Sequence, residues 1–199
     1  MDWIRARMWD DKVMATPLDV QNMGTTAAFV AGRAAMAEDG SWSLKAILSG
    51  AKFRVGVAPF PSGPARRATL ATTDGFGIYA GTKHPDAAWE LIKFLISKDY
   101  GRAMAKAQFL QPARASLVDE WIGFVRAEFP DQTKDLDIAA FADGHLKGYS
   151  VIAEAFANQA DAQRLTNAAW QQIFVLGKSP VDSMKGVSRA IEQAQQGFK

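Results

Sequence analysis

With 199 residues, 48% of them hydrophobic, the chain suits one large domain or two small ones, with enough apolar surface to pack a core and escape disorder. The net charge of +2 is made of both signs mixed along the chain, which leaves no basic block or stripe for nucleic acid. The absence of cysteine excludes disulfide scaffolds, thiolate metal sites and cysteine nucleophiles, and no apolar run approaches the roughly 20 residues of a membrane span.

The opening MDWIRARMWDDK is charged and amphipathic, unlike a secretory signal. Trp3, Ile4, Met8 and Val13 share one helical face, which predicts a helix over 2–14. It ends before Thr16-Pro17, because proline disfavours helix at the residue before it. Leu18 to Gly24 reads as loop. The capping pair Thr25-Thr26 opens a short apolar turn through Val30, and Gly32 follows as a left-handed stop. Residues 33–38 are a strand candidate with Ala34 and Met36 on one face. Asp39-Gly40 is a turn, Ser41 an N-cap, and Trp42 to Leu48 a helix.

In KFRVGVAP (52–59) the residues Phe53, Val55 and Val57 alternate with Arg54, Gly56 and Ala58, the period of a strand. Pro59, Pro61, Ser62, Gly63 and Pro64 then form a stiff extended connector, a natural crossing between lobes. Leu70–Thr73 and Gly75–Ala80 are strand candidates around Asp74-Gly75. Gly75, Gly77 and Gly81 lack the spacing of a dinucleotide-binding loop.

Pro85 to Ser97 is the clearest helix, with Pro85 at its first position and Asp86 at the positive end of the dipole. Ala88, Leu91, Ile92, Leu95 and Ile96 form an apolar stripe that Trp89 and Phe94 widen. A second helix runs from Tyr100 to Ala107, and Gln111-Pro112 breaks the pattern. From Ser116 the chain reads as helical: Leu117–Phe129, Asp137–Ala142, Tyr149–Asn158 and Ala162–Leu176. Gly177 is a C-cap candidate, and Ser179-Pro180 opens a last helix striped by Val181, Met184, Val187, Ile191 and Ala194.

Trp42 is the sharpest site candidate. A large flat aromatic at a helix start, beside free backbone N–H groups, is a place to hold a polar ligand with an apolar face: the indole matches that face, and backbone and short polar groups such as those of Gly40 and Ser41 take its polar rim. From the residues alone, a core tryptophan at a helix start is the stronger reading. Asp74, Gly75 and Phe76 form a second candidate: a carboxylate for two hydroxyls beside a ring, or equally a turn aspartate next to a core phenylalanine. Arg114 reaches a hydroxyl or carboxylate, or forms a surface ion pair. Tyr149 is a rim aromatic or a packing residue. His84 and His145 have no metal-ligand spacing around them. No nucleophile elbow is present, and Asp10-Asp11, Asp119-Glu120 and Asp135/Asp137 read as solvated pairs, so no constellation supports an enzyme. Trp3, Trp9, Trp89, Trp121 and Trp170 read as core or interface.

These pieces also occur together as a pattern: FxxGxAAM…GSW, a strand ending VAPFPSGP, TTDGFGIYAGTKHPDAAWELIKFLIS, LQPARASL, then a helix, GKSP and a last helix. The pattern resembles the carbohydrate-binding extracellular solute-binding proteins of ABC importers, the group that includes maltose-binding protein. The resemblance covers essentially the whole chain, but only the C-terminal half of such a protein. It implies an α/β fold: the helix-rich C-terminal portion of a two-lobe architecture, its N-terminal lobe largely missing. Residues 1–60 and 112–199 would belong to the C-terminal lobe, and 61–111 would cross to the N-terminal one. It implies a non-enzymatic, periplasmic or extracellular protein that binds a sugar through Gly40, Ser41, Trp42, Asp74, Gly75, Phe76 and Arg114, without cofactor or metal, and delivers it to a membrane permease. The other expectation is a truncated, self-associating remnant with no competent ligand site. The apolar stripe of 85–97, deprived of the sheet it packs on in the family, favours a homodimer or larger assembly.

Overall fold

Helix formation follows the apolar periodicity closely, whereas strand formation does not follow the alternation. The computed structural model describes residues 1–72, 74–153 and 155–196. The chain divides into two compact units, Thr26–Ala153 and Met1–Thr25 with Glu154–Lys199.

The larger unit is built from α3 (Thr25–Val30), α4 (Leu44–Gly50), α5 (Pro85–Leu95), α6 (Lys98–Gln108), α7 (Val118–Glu128), α8 (Pro130–Thr133) and α9 (Asp143–Leu146). Short 3-10 turns at Ser41–Ser43, Ala115–Leu117 and Ile138–Phe141 connect them. The core gathers Leu44 and Leu48 of α4, Phe109 at the end of α6, Trp121 and Val125 of α7, then Leu136 and Ile138. Trp121 is fully enclosed, and its indole N–H donates to the Phe109 carbonyl at 2.9 Å. Phe109 takes a left-handed backbone with φ 56°. That conformation costs a non-glycine residue roughly 1–2 kcal/mol. Burial of a phenylalanine side chain, about 1.5–3 kcal/mol, offsets it.

Strands are confined to two short pieces among the described residues. Strand β1 (Thr69–Leu70) runs parallel to β2 (Ser150–Val151), with Thr69 opposite Ser150 and Leu70 opposite Val151. The backbone N–H of Ala71 donates to Val151 at 2.7 Å and that of Thr69 to Tyr149 at 3.2 Å. The expected strands at 33–38 and 53–58 do not form, and of the expected 70–80 strands only Leu70 lies in a ladder; Thr73 falls outside the described residues. Alternation orients side chains but supplies no neighbouring strand to bond. The side-chain orientation survives: Val55 and Val57 pack against the core, and Phe53 meets Phe29 edge-on at 5.4 Å between ring centroids.

The expected helix at Tyr149–Asn158 is also corrected. Gly148 adopts a left-handed backbone at φ +72°, which ends the preceding helical turn. Gly144 lies against the Thr69 side chain, where a Cβ would overlap it. The chain is therefore delivered extended beside β1, and Tyr149 and Val151 bond there. β-branched Val151 and Ile152 favour the extended form.

The smaller unit contains α1 (Asp2–Trp9), α2 (Pro17–Val20), α10 (Gln159–Trp170) and α11 (Met184–Gln195), with a 3-10 turn at Val181–Ser183. The first helix stops short of the expected residue 14, and Lys12 is left-handed at φ 56°. Helix α10 starts earlier than expected because Asn158 caps it, its side-chain oxygen accepting from the Asp161 N–H at 3.2 Å. It continues into a π turn at Gln171–Val175, where Ile173 and Phe174 are buried. Helix α1 is tied to that turn: the Trp9 indole N–H donates to the Phe174 carbonyl at 3.1 Å and Arg5 to Gly177 at 3.2 Å. Gly177, at φ +63°, serves as the expected left-handed stop. Its missing side chain also admits the Trp9 ring.

The helix-rich architecture with few strands is compatible with part of a solute-binding fold.

Candidate functional site

Trp42 stands outside the core. The 3-10 turn that presents it follows Asp39, whose carboxylate accepts three hydrogen bonds. The Gly40 N–H donates to Oδ1 at 2.8 Å, the Ser43 hydroxyl to Oδ1 at 2.7 Å, and the Thr26 hydroxyl to Oδ2 at 2.6 Å. Thr26 and Ser43 also approach each other at 3.3 Å. Sequence reasoning placed an N-cap at Ser41; Gly40 holds that position, and the helix opens with a 3-10 turn in which the Ser43 N–H donates to the Gly40 carbonyl at 3.1 Å. Immediately after it, Leu44 and Leu48 drive α4 into the core.

The indole of Trp42 lies over Gly40, so closely that a Cβ at Gly40 would overlap the ring. Even so, 59% of the Trp42 surface is open to solvent. A large flat aromatic is thus braced from one side by a short turn and free on the other. An apolar ring face with hydroxyls at its rim suits such a surface.

The second group lies on an exposed extended segment. Asp74 and Gly75 are exposed, and Phe76 is about half-open, its ring edge-on to Tyr100 at 6.3 Å; Tyr100 in turn meets Phe94 at 5.8 Å. Beside it is a shallow recess of about 420 Å³ lined by Phe76, Ile78, Tyr79, Ala88, Leu91 and Leu95. Its lining is mainly apolar. Among the described residues, no hydrogen bond or ring contact joins this group to the Trp42 turn.

Arg114 is engaged elsewhere. Its guanidinium donates twice to the Ile96 carbonyl, at 3.3 Å from Nε and 2.9 Å from Nη2, and so caps the end of α5. Tyr149 is placed by the β1–β2 ladder, with the Arg67 guanidinium 5.6 Å from its ring centroid. His84 and His145 are exposed. No group of three or more metal-ligating side chains exists among the described residues.

Sequence reasoning read Asp39 only as a turn residue and gave Thr26 and Ser43 no part in the site. The signal was present as an aspartate followed by glycine, with a serine four residues after the aspartate. Asp side chains habitually accept from backbone and hydroxyl donors one to four residues on. The contribution of Thr26, from α3, had no local signal.

The perturbed acids and bases lie away from both groups. Glu120 on α7 is held below the usual carboxylate range by hydrogen bonds from Arg102 of α6, at 2.6 and 3.0 Å. Asp161 is lowered by Arg164 and Asn158 in the smaller unit. The first pair ties α6 to α7, and the second lies at the start of α10.

The profile of the bacterial extracellular solute-binding protein family matches residues 2–102, just over half of the chain. The chain belongs to that family. The matched region takes in the Trp42 turn, the 74–76 group and α5, and it ends inside α6. Members bind a small-molecule solute outside the cytoplasm and are typically non-enzymatic. No curated protein matches the chain.

Proposed function

We propose that the chain is the carbohydrate-binding component of an ABC importer, or a piece of one, presenting its sugar to the membrane permease. One observation carries the reading: an indole fixed on a short turn and left mostly open, in a chain of a solute-binding family. Trp42 covers the apolar face of a sugar ring, and the backbone of Gly40 and Ser41 takes rim hydroxyls. Asp74, Gly75 and Phe76 supply the opposing polar and aromatic contacts. Arg114, committed to Ile96, contributes through the placement of α5. In this reading residues 1–60 and 112–199 form one lobe of a two-lobe protein and 61–111 cross to the other.

Titrating maltose and longer malto-oligosaccharides by calorimetry tests the proposal. The chain by itself is expected to bind more weakly than micromolar, a level corresponding to about −8 kcal/mol. Trp42→Ala is expected to remove the binding. Tight binding that survives Trp42→Ala refutes the assignment of the site.

A second reading rests on a different observation. Phe76, Tyr79, Trp89, Leu91, Phe94 and Ile96 are all exposed on one stretch of the larger unit. In isolation this face drives self-association, giving a homodimer or larger assembly without a competent sugar site.

A further inference from the structure

We infer that Asp39 is the positioning residue of the Trp42 site: its carboxylate fixes the turn that lays the indole on Gly40 and leaves the remaining ring surface open. The inference rests on the reading of Trp42 as the ligand contact.

Three donors from two segments converge on one carboxylate. Gly40 donates at 2.8 Å and Ser43 at 2.7 Å to Oδ1, and Thr26 donates at 2.6 Å to Oδ2. The first two define the path of the chain on either side of Trp42. The third ties that path to the start of α3, whose Ala28 and Phe29 are buried. Hydrogen bonds to an ionised acceptor are short and strong, and these distances are of that kind. The bonds hold residue 39 to residues 40, 43 and 26, so the backbone that carries the indole has little freedom. Gly40 completes the arrangement, because any side chain there would occupy the space of the ring. Asp39 acts by holding the turn: three of its roughly four acceptor positions are taken by Gly40, Ser43 and Thr26.

A neutral amide replaces it only in part. Asparagine keeps one acceptor oxygen for Gly40 and Ser43 and turns an NH2 toward the Thr26 hydroxyl, which must then accept instead of donate, and the charge that shortens all three bonds is gone. Asp39→Asn therefore retains part of the arrangement, and Asp39→Ala retains none.

The test uses the full chain labelled with 5-fluorotryptophan, whose six tryptophans give separate fluorine resonances. The Trp42 signal is assigned by its loss in Trp42→Phe. Asp39→Ala and Gly40→Ala are each expected to move or broaden the Trp42 signal while the signal of buried Trp121 stays in place. Asp39→Asn should give a smaller change in the same direction. Ser43→Ala and Thr26→Val each remove one bond to Asp39, together with the Thr26–Ser43 contact, and keep the fold testable if Asp39→Ala displaces every signal; each should then move Trp42 alone. A Trp42 signal unmoved by Asp39→Ala, or by both hydroxyl variants, overturns the inference. Maltose titration separates the two claims. If Trp42→Ala leaves maltose affinity unchanged, the binding reading fails, whereas the fluorine signal still decides the role of Asp39. If Trp42→Ala abolishes affinity, Asp39→Ala should weaken it about tenfold or more, which is a loss of roughly 1.4 kcal/mol.

Discussion

Helices α5 and α7 have the same length, 11 residues, and each carries a tryptophan in its first half, yet they meet opposite fates. In α7, Val118, Trp121 and Val125 face a core formed by α4, α6 and the turns after α8, and Trp121 has no exposed surface. In α5 no residue is buried: Trp89 is 51% exposed, and Leu91 and Phe94 are more open still. Both helices satisfy their backbone internally, and both have an apolar face. The difference lies in what stands opposite. Leu44 reaches α7 from far along the chain and Phe109 and Ile138 from the segments flanking it, whereas α5 is met on one side by the Phe94–Tyr100 contact and on the other by a segment with glycines at 75 and 77. An amphipathic pattern thus makes a helix without guaranteeing that its face finds a partner.

The largest expected effect sharpens that contrast directly. Trp121→Ala should cost the larger unit about 3–5 kcal/mol, because it empties the centre of the core and removes the bond to Phe109. Trp89→Ala should stay within about 0.5 kcal/mol of the parent, as exposed substitutions do. Urea denaturation monitored by far-ultraviolet circular dichroism measures both. Equal losses at the two positions would break the comparison and show that α5 is covered in solution.

A middle-sized effect concerns association. If the α5 face pairs between chains, the double change Leu91→Glu and Phe94→Glu should return the protein to monomer. Each buried apolar side chain contributes about 1.5–3 kcal/mol to such an interface. Light scattering coupled to size exclusion, at several dilutions, reads the outcome. A parent chain that is already a persistent 21.6 kDa monomer would show that this face associates with nothing of its own kind.

The smallest effect is the pH dependence of the α6–α7 tie. Glu120 has a depressed pKa in the folded chain, caused first by the hydrogen bonds from Arg102. Its contribution to stability is therefore present above the unfolded value, near 4.3 for a glutamate, and is lost as pH falls through the lower folded value. The pair is solvent-exposed, so the effect is modest. Arg102→Met should flatten the dependence of the denaturation midpoint below about pH 4.5. An unchanged profile would mean that Arg102 adds nothing to the holding of α7.

Local chemistry in the sequence determined much of this protein. The helices at Pro85 and Val118 and the left-handed stops at Gly32 and Gly177 were legible, since caps, glycines and periodicity act within a few residues; the last helix was legible too, but it opens at Met184 behind a 3-10 turn and not at Pro180. The helix start that carries Trp42 was legible too, though the turn falls at Ser41–Ser43 behind an extended Gly40 and not at Asp39-Gly40, and so was the solute-binding pattern. The tertiary structure alone decided which extended runs became strands, because a ladder needs a partner from far along the chain. It paired residues 69–70 with 150–151 and left 53–58 extended and unpaired, its valines still turned inward. It also brought Thr26 to Asp39, spent Arg114 on Ile96, and set Trp42 outside the core while enclosing Trp121. Burial depends on what packs opposite a side chain, and no local pattern specifies that.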